Sequence, residues 1–222
     1  MIITDAIMPR PMETHDWATV LFVLCFVLIA VTRTAFEKRF SDFMRLAVSD
    51  KYIKVYKDSG HLMSGFTVIL FVVQVISIAF FIQLALSHYV HTIKTDWVLY
   101  IRVFTLLAVF ILSKFLIDKI IATAFNIEEL VEQFNLRKVS YRTYVALILL
   151  PVNILLFYNN YSSDFLFFIV IAALIATNLL TYLVSLKNYQ NFIAGKLFYF
   201  ILYLCALEIA PYYFLYYWFA KS

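Results

Sequence analysis

The chain has 222 residues, 64% of them apolar, and a formal net charge of +4. That length and apolar fraction leave room for one helical bundle and exclude a sizeable soluble domain. The cations lie in blocks between apolar runs rather than along one basic face, which excludes nucleic-acid binding as the source of the charge.

Residues 1–16, with Pro9 and Pro11, form a short tail. Its Asp5, Glu13 and Asp16 are unlike the basic leader of a cleavable signal, so the first apolar run is expected to stay as a span. Six runs follow: Trp17 to Thr32, Leu62 to Leu86, Trp97 to Ile117, Tyr144 to Tyr158, Phe165 to Leu186 and Leu197 to Phe219. A lipid-spanning helix needs about 20 mostly apolar residues. The expected fold is therefore all-α: a six-helix transmembrane bundle in one polytopic domain over residues 1–222. Glycine occurs only at 60, 65 and 195, without a GxxxG pair, so packing rests on small residues and interlocking aromatics. Cys25 and Cys205 lie inside spans and read as packing residues.

Between the first two spans, residues 33–60 form a basic connection. Phe36, Phe40, Phe43 and Ala47 recur at helical spacing among charges, which predicts an amphipathic helix on the inner membrane surface. Arg39, Arg45, Lys51 and Lys54 are the candidate ligands for anionic headgroups. The alternative is a helical hairpin packed on the other cytoplasmic loops. The second long connection, 118–142, carries a short predicted helix from Ile127 to about Leu136, with Asn126 and Glu129 placed like a capping box. Lys114 and Asp118 stand one helical turn apart and suit an ion pair. Arg137, Lys138 and Arg142 lie between that helix and the fourth span.

Charge sets the orientation. Arg33, Lys38, Arg39, Arg45, Lys51, Lys54, Lys57, Lys114, Lys119, Arg137, Lys138, Arg142, Lys187 and Lys196 all belong to alternate connections on one side; only Arg10, Lys94, Arg102 and Lys221 belong to the other. Positive charge is retained in the cytoplasm, so both termini are expected on the outer, periplasmic side of a bacterial inner membrane.

Glu208 is the residue with the greatest chemical potential. It lies near the middle of the sixth span, where a carboxylate is costly unless neutral, paired or hydrated. Pro211 cannot donate to the carbonyl of Leu207 and predicts a kink beside it. Two readings stand: a proton-titrating or substrate-binding carboxylate, or a buried clamp. Arg102, roughly 7–8 Å inside the third span, is a possible partner or snorkels to the headgroups. Gln74, Asn153 and Asn178 are intramembrane amides, expected with Thr105 and Thr177 to form one polar network or separate interhelical bonds. Pro151 predicts a second kink. His88 and His91 make an HxxH step, without the further ligands a metal site needs. No phosphate loop, nucleophile elbow or HExxH is present, so no catalytic residue, metal or cofactor is assigned.

The run Tyr203-Leu204-Cys205-Ala206-Leu207-Glu208-Ile209-Ala210-Pro211, with Asp16-Trp17, Arg39-Phe40 and the Lys51 to Tyr56 segment, resembles a family of small polytopic inner-membrane proteins of Bacteroidota, catalogued as a domain of unknown function. The resemblance covers nearly the whole chain. It implies a role in envelope physiology, supplies no catalytic residues, and makes Glu208 and Pro211 the first to examine. The expected function is a non-enzymatic subunit of a cell-envelope complex with protein partners. The alternatives are an ion-coupled transporter using Glu208 and a lipid-processing membrane enzyme.

Overall fold

The computed structural model describes residues 16–47, 52, 55, 56, 64–90, 92–124, 128–159 and 164–188. The expected last span, with Glu208 and Pro211, lies outside the described residues. So do Lys51, Lys54 and His91, and the side chain of Asn178.

The described residues are almost entirely helical and contain no strand. The helices are α1 (Asp16–Ala35), α2 (Glu37–Met44), α3 (Gly65–Val90), α4 (Trp97–Ala124), α5 (Glu128–Tyr158) and α6 (Asp164–Asn188), with a 3-10 turn at Arg45–Ala47. Four of them, α1, α3, α4 and α5, are long and apolar enough to cross a membrane. The chain is a multi-pass helical membrane protein.

α3 is the hub. Its apolar window is 61% buried, against 39% in α5, 22% in α1 and 11% in α4. α1, α4 and α5 pack around α3, and α6 packs on α5. The outward faces keep Val23, Val27, Leu112, Leu116, Phe168 and Ile175 exposed. In water that would be an aggregation surface; against acyl chains it is the ordinary solvent-facing side of a span.

Alternate connections gather at the same end. At one end the start of α1 meets the 92–96 connection and the close of α5: the Trp17 indole Nε1 donates to the carbonyl of Thr95 at 3.2 Å, and the Lys94 ammonium donates to the carbonyl of Phe157 at 3.2 Å. Asp96 caps α4, its carboxylate accepting from the backbone N–H of Val98 and Leu99. α2 with its following turn, the end of α4 and the start of α5 lie at the other end.

One expectation needs adjusting. The helix expected to stop near Leu136 does not stop. It continues through Arg137, Lys138 and Arg142 to Tyr158 as one element of 31 residues, about 46 Å long. Hydropathy falls there, but lysine and arginine are good helix formers, and neither glycine nor proline interrupts the backbone ladder. Pro151 also lies within this continuous helix, on its exposed side.

Candidate functional site

Polar side chains meet at two places: a seam between α3 and α5, and a dock between α2 and the start of α3. In the seam, Gln74 and Ser77 are three residues apart on one face of α3. Thr143, Ala146 and Asn153 share a face of α5. The Thr143 hydroxyl donates to Gln74 Oε1 at 2.8 Å, and the Ser77 hydroxyl donates to the Ala146 carbonyl at 2.9 Å. Asn153 Nδ2 donates to the Ser77 carbonyl at 2.7 Å. All four side chains are buried. The amides expected from sequence are thus two separate links of one seam. Ser77 and Thr143 were not singled out in the sequence. Their only signal is the helical spacing to Gln74 and Asn153.

Among the described residues, three other expected members lie outside the seam. Thr105 and Arg102 are on the exposed side of α4. Thr177 turns its hydroxyl back to the carbonyls of Ala173 and Leu174 in its own helix. Asn153 Oδ1, by contrast, is buried without a hydrogen-bond partner.

Each seam bond is worth about 0.6 kcal/mol and seldom above 2. Gln74→Leu alone leaves the Thr143 hydroxyl unpaired. Gln74→Leu with Thr143→Val is therefore expected to lower the unfolding midpoint in detergent no further than Gln74→Leu does, a coupling read from the double-mutant cycle. Strict additivity would show that the two groups do not interact.

The dock is built on α2. Its phenylalanine face turns inward as its spacing predicts: Phe43 is buried, and Phe36 and Phe40 are half-buried beside Tyr52, Phe66 and Leu70. The unforeseen member is Arg39, which shares that face and is 8% exposed. Its guanidinium donates from Nη1 to Ser64 Oγ at 2.6 Å, from Nη2 to Thr67 Oγ1 at 3.3 Å and from Nε to Tyr52 OH at 3.4 Å. The rings of Tyr56 and Phe66 lie 5.0 and 4.7 Å from its carbon. Burial holds the Tyr52 phenol above its usual pKa, and the hydrogen bond and charge of Arg39 oppose that shift. The phenol therefore stays neutral at physiological pH and keeps its lone pairs for the arginine. Of the candidate headgroup ligands, Arg39 turns into the protein and Arg45 stays exposed.

At the opposite end, His88 Nε2 and Asp164 Oδ1 are 2.5 Å apart, joining α3 to the start of α6. The imidazole stacks on Phe167 with centroids 4.5 Å apart. Among the described residues no three His, Cys, Asp or Glu side chains converge as a metal site would require.

A family model described as a domain of unknown function (DUF4271) matches residues 18–219. The chain belongs to the DUF4271 family. No curated protein and no solved structure matches it. The DUF4271 match takes in the seam, the dock and the positions of Glu208 and Pro211, and begins one residue after Trp17.

Proposed function

We propose that this chain is a non-enzymatic subunit of a cell-envelope complex in a bacterial inner membrane. The observation that carries this reading is the ordered basic end. α4 runs nine residues past Lys114 to Thr123, about 13 Å, which exceeds the roughly 5–8 Å headgroup layer on each side of a bilayer. α5 returns beside it, and α2 is folded back onto α3 instead of hanging free. A structured surface beyond the lipid is a surface for a protein. The seam supports the same reading, because its polar groups are engaged in packing α3 on α5.

The test is purification from native membranes in a mild detergent, followed by native mass spectrometry. A defined partner at fixed stoichiometry is expected; a lone monomer in every detergent and in nanodiscs would overturn the proposal. One observation favours the transporter alternative: Asn153 Oδ1 is a buried acceptor without a donor. Proton or solute flux in vesicles that is lost in Glu208→Gln would establish that alternative.

Orientation is part of the proposal. Single cysteines at positions 45 and 123, both exposed at the basic end, are expected to react with a membrane-impermeant maleimide only after the cytoplasmic side is opened. Tags at both termini are expected to be accessible from the periplasm. The warrant is the cation asymmetry, and labelling of position 45 from the periplasm would reverse the topology.

A further inference from the structure

Of the four spans, α4 is the least covered: 11% of its apolar window is buried. Val98, Arg102, Thr105, Val109, Leu112 and Leu116 stand on its exposed side. Their steps of four and three residues give the 3.5-residue repeat with which one helix meets another. Acyl chains suit the aliphatic members as well as a neighbouring helix does. Arg102 is the exception, a cation roughly 7–8 Å inside the span on the face turned away from the hub. Ionisable residues within spans almost always face other helices and pair there, so an outward one points to a helix that covers it.

We infer that this face receives the sixth apolar run of the same chain, Leu197 to Phe219, with Glu208 paired to Arg102. The inference does not depend on the complex reading above. Direction permits it: α6 starts at Asp164 beside His88, away from the basic end, and runs to Asn188. The next run therefore starts at the basic end and returns antiparallel to α4. Reach permits it too. The connecting residues 189–196 extend to about 26–29 Å at most, and α5, which touches both α6 and α4, separates them by about two interaxial distances of roughly 8–10 Å. Charge fixes the register. Glu208 is the one carboxylate in its run, and Arg102 the one cation between Trp97 and Ser113. Setting the two level places Val98 opposite Tyr212, Thr105 opposite Cys205, Val109 opposite Ile201 and Leu112 opposite Phe198. Both helices then meet along the same alternating steps of three and four. A single polar pair within such a seam specifies register at some cost in stability, and an arginine fork bonds a carboxylate bidentately. Glu208 is then the clamp of its two readings, and the basic end is left as the face for a partner.

Thr105→Cys, in the full chain in native membranes, tests this against the native Cys205. Oxidation with copper phenanthroline is expected to join the two within one chain, mapped by peptide mass spectrometry. Cys205→Ser is expected to abolish the bond, which excludes Cys25 as the partner. Leu116→Cys, on the same face but about 16–17 Å further along α4, is expected to give none. Arg102→Glu is expected to lower the yield about tenfold by opposing two carboxylates, and the exchange Arg102→Glu/Glu208→Arg to restore it. Should Arg102→Glu fail to fold, the exchange still decides, because recovery of fold and bond together requires the two charges to meet. A bond between two chains would assign the face to a second copy and overturn the inference. No bond at all would leave Arg102 to the lipid headgroups and overturn it equally, as would a yield that ignores both charge changes. A protein that purifies as a lone monomer is expected to give the same bond, so this test and that of the complex fail separately.

Discussion

Arg39→Ala is expected to loosen the whole basic end, lowering unfolding stability by about 3 kcal/mol or more. Hydrogen bonds from a charged group are each worth roughly 1.5–3 kcal/mol, and cation–π contact adds roughly 0.5–2 kcal/mol when desolvated. Truncation also leaves the hydroxyls of Tyr52, Ser64 and Thr67 without this donor. The effect should be local before it is global, because α2 turns off the end of α1 at Phe36 and is docked onto α3 by Arg39 and the Phe43 cluster. Trypsin should therefore cut faster after Lys38 and Arg45, both exposed on α2 and its following turn, at temperatures where the spans are still folded. Arg39→Lys should rescue little. An ammonium has no planar fork to reach three hydroxyls and does not lie flat between two rings. Phe40→Asp should give a smaller shift, since Phe40 is only half-buried. An Arg39→Ala protein with unchanged midpoint and protease pattern would mean that α2 docks through its phenylalanines alone.

Trp17→Ala is expected to cost about 2–4 kcal/mol, toward the lower part of the range for removing a large aromatic, because Trp17 is partly buried against the core. Trp17 stands at the meeting point of four helices: its ring lies 5.7 Å from Phe80, 5.2 Å from both Trp97 and Tyr100, and 6.2 Å from Phe157. Those partners belong to α3, α4 and α5, so one side chain from α1 closes the end opposite the basic one. Trp17→Phe keeps much of the stacking and loses only the bond to Thr95, for about 1 kcal/mol. The measurements are the unfolding midpoint and hydrogen exchange across the 92–96 connection. That connection is held from several sides: Gln83 Nε2 donates to the carbonyls of Lys94 and Asp96, and Ser87 Oγ donates to that of Thr92. Faster exchange there in Trp17→Ala, with little change in Trp17→Phe, is the expected pattern. Equal effects of both would assign the stability to the hydrogen bond instead of the rings.

The spans were legible because hydropathy is a local property: each apolar run reports its own need for lipid or core, and α1, α3, α4, α5 and α6 occur where those runs lie. The inward phenylalanines of α2 were legible for the same reason, since a helical period needs no knowledge of the neighbours. The boundary expected near Leu136 failed because polarity was read as a break. A helix backbone is stopped by glycine, proline or a cap, and a run of lysine and arginine is none of these.

Partners were another matter. Gln74 and Asn153 stood out as amides in lipid, but which hydroxyl each meets depends on how α3 is rotated against α5. Ser77 and Thr143 offered only their helical spacing, a weak signal because a hydroxyl within a span often satisfies itself on its own helix, as Thr32 and Thr177 do. Arg102 faces outward on α4 because nothing in its own run says which side of that helix the hub will cover. Arg39 makes the division plainest. By itself the sequence determined a charged residue on an amphipathic helix, and solvent or headgroups were its natural place. Only the tertiary structure brought Tyr52, Tyr56, Ser64, Phe66 and Thr67 around it from distant parts of the chain. A guanidinium leaves water only where hydroxyls and ring faces replace its hydration, and such a shell is assembled by packing, not by adjacency along the chain.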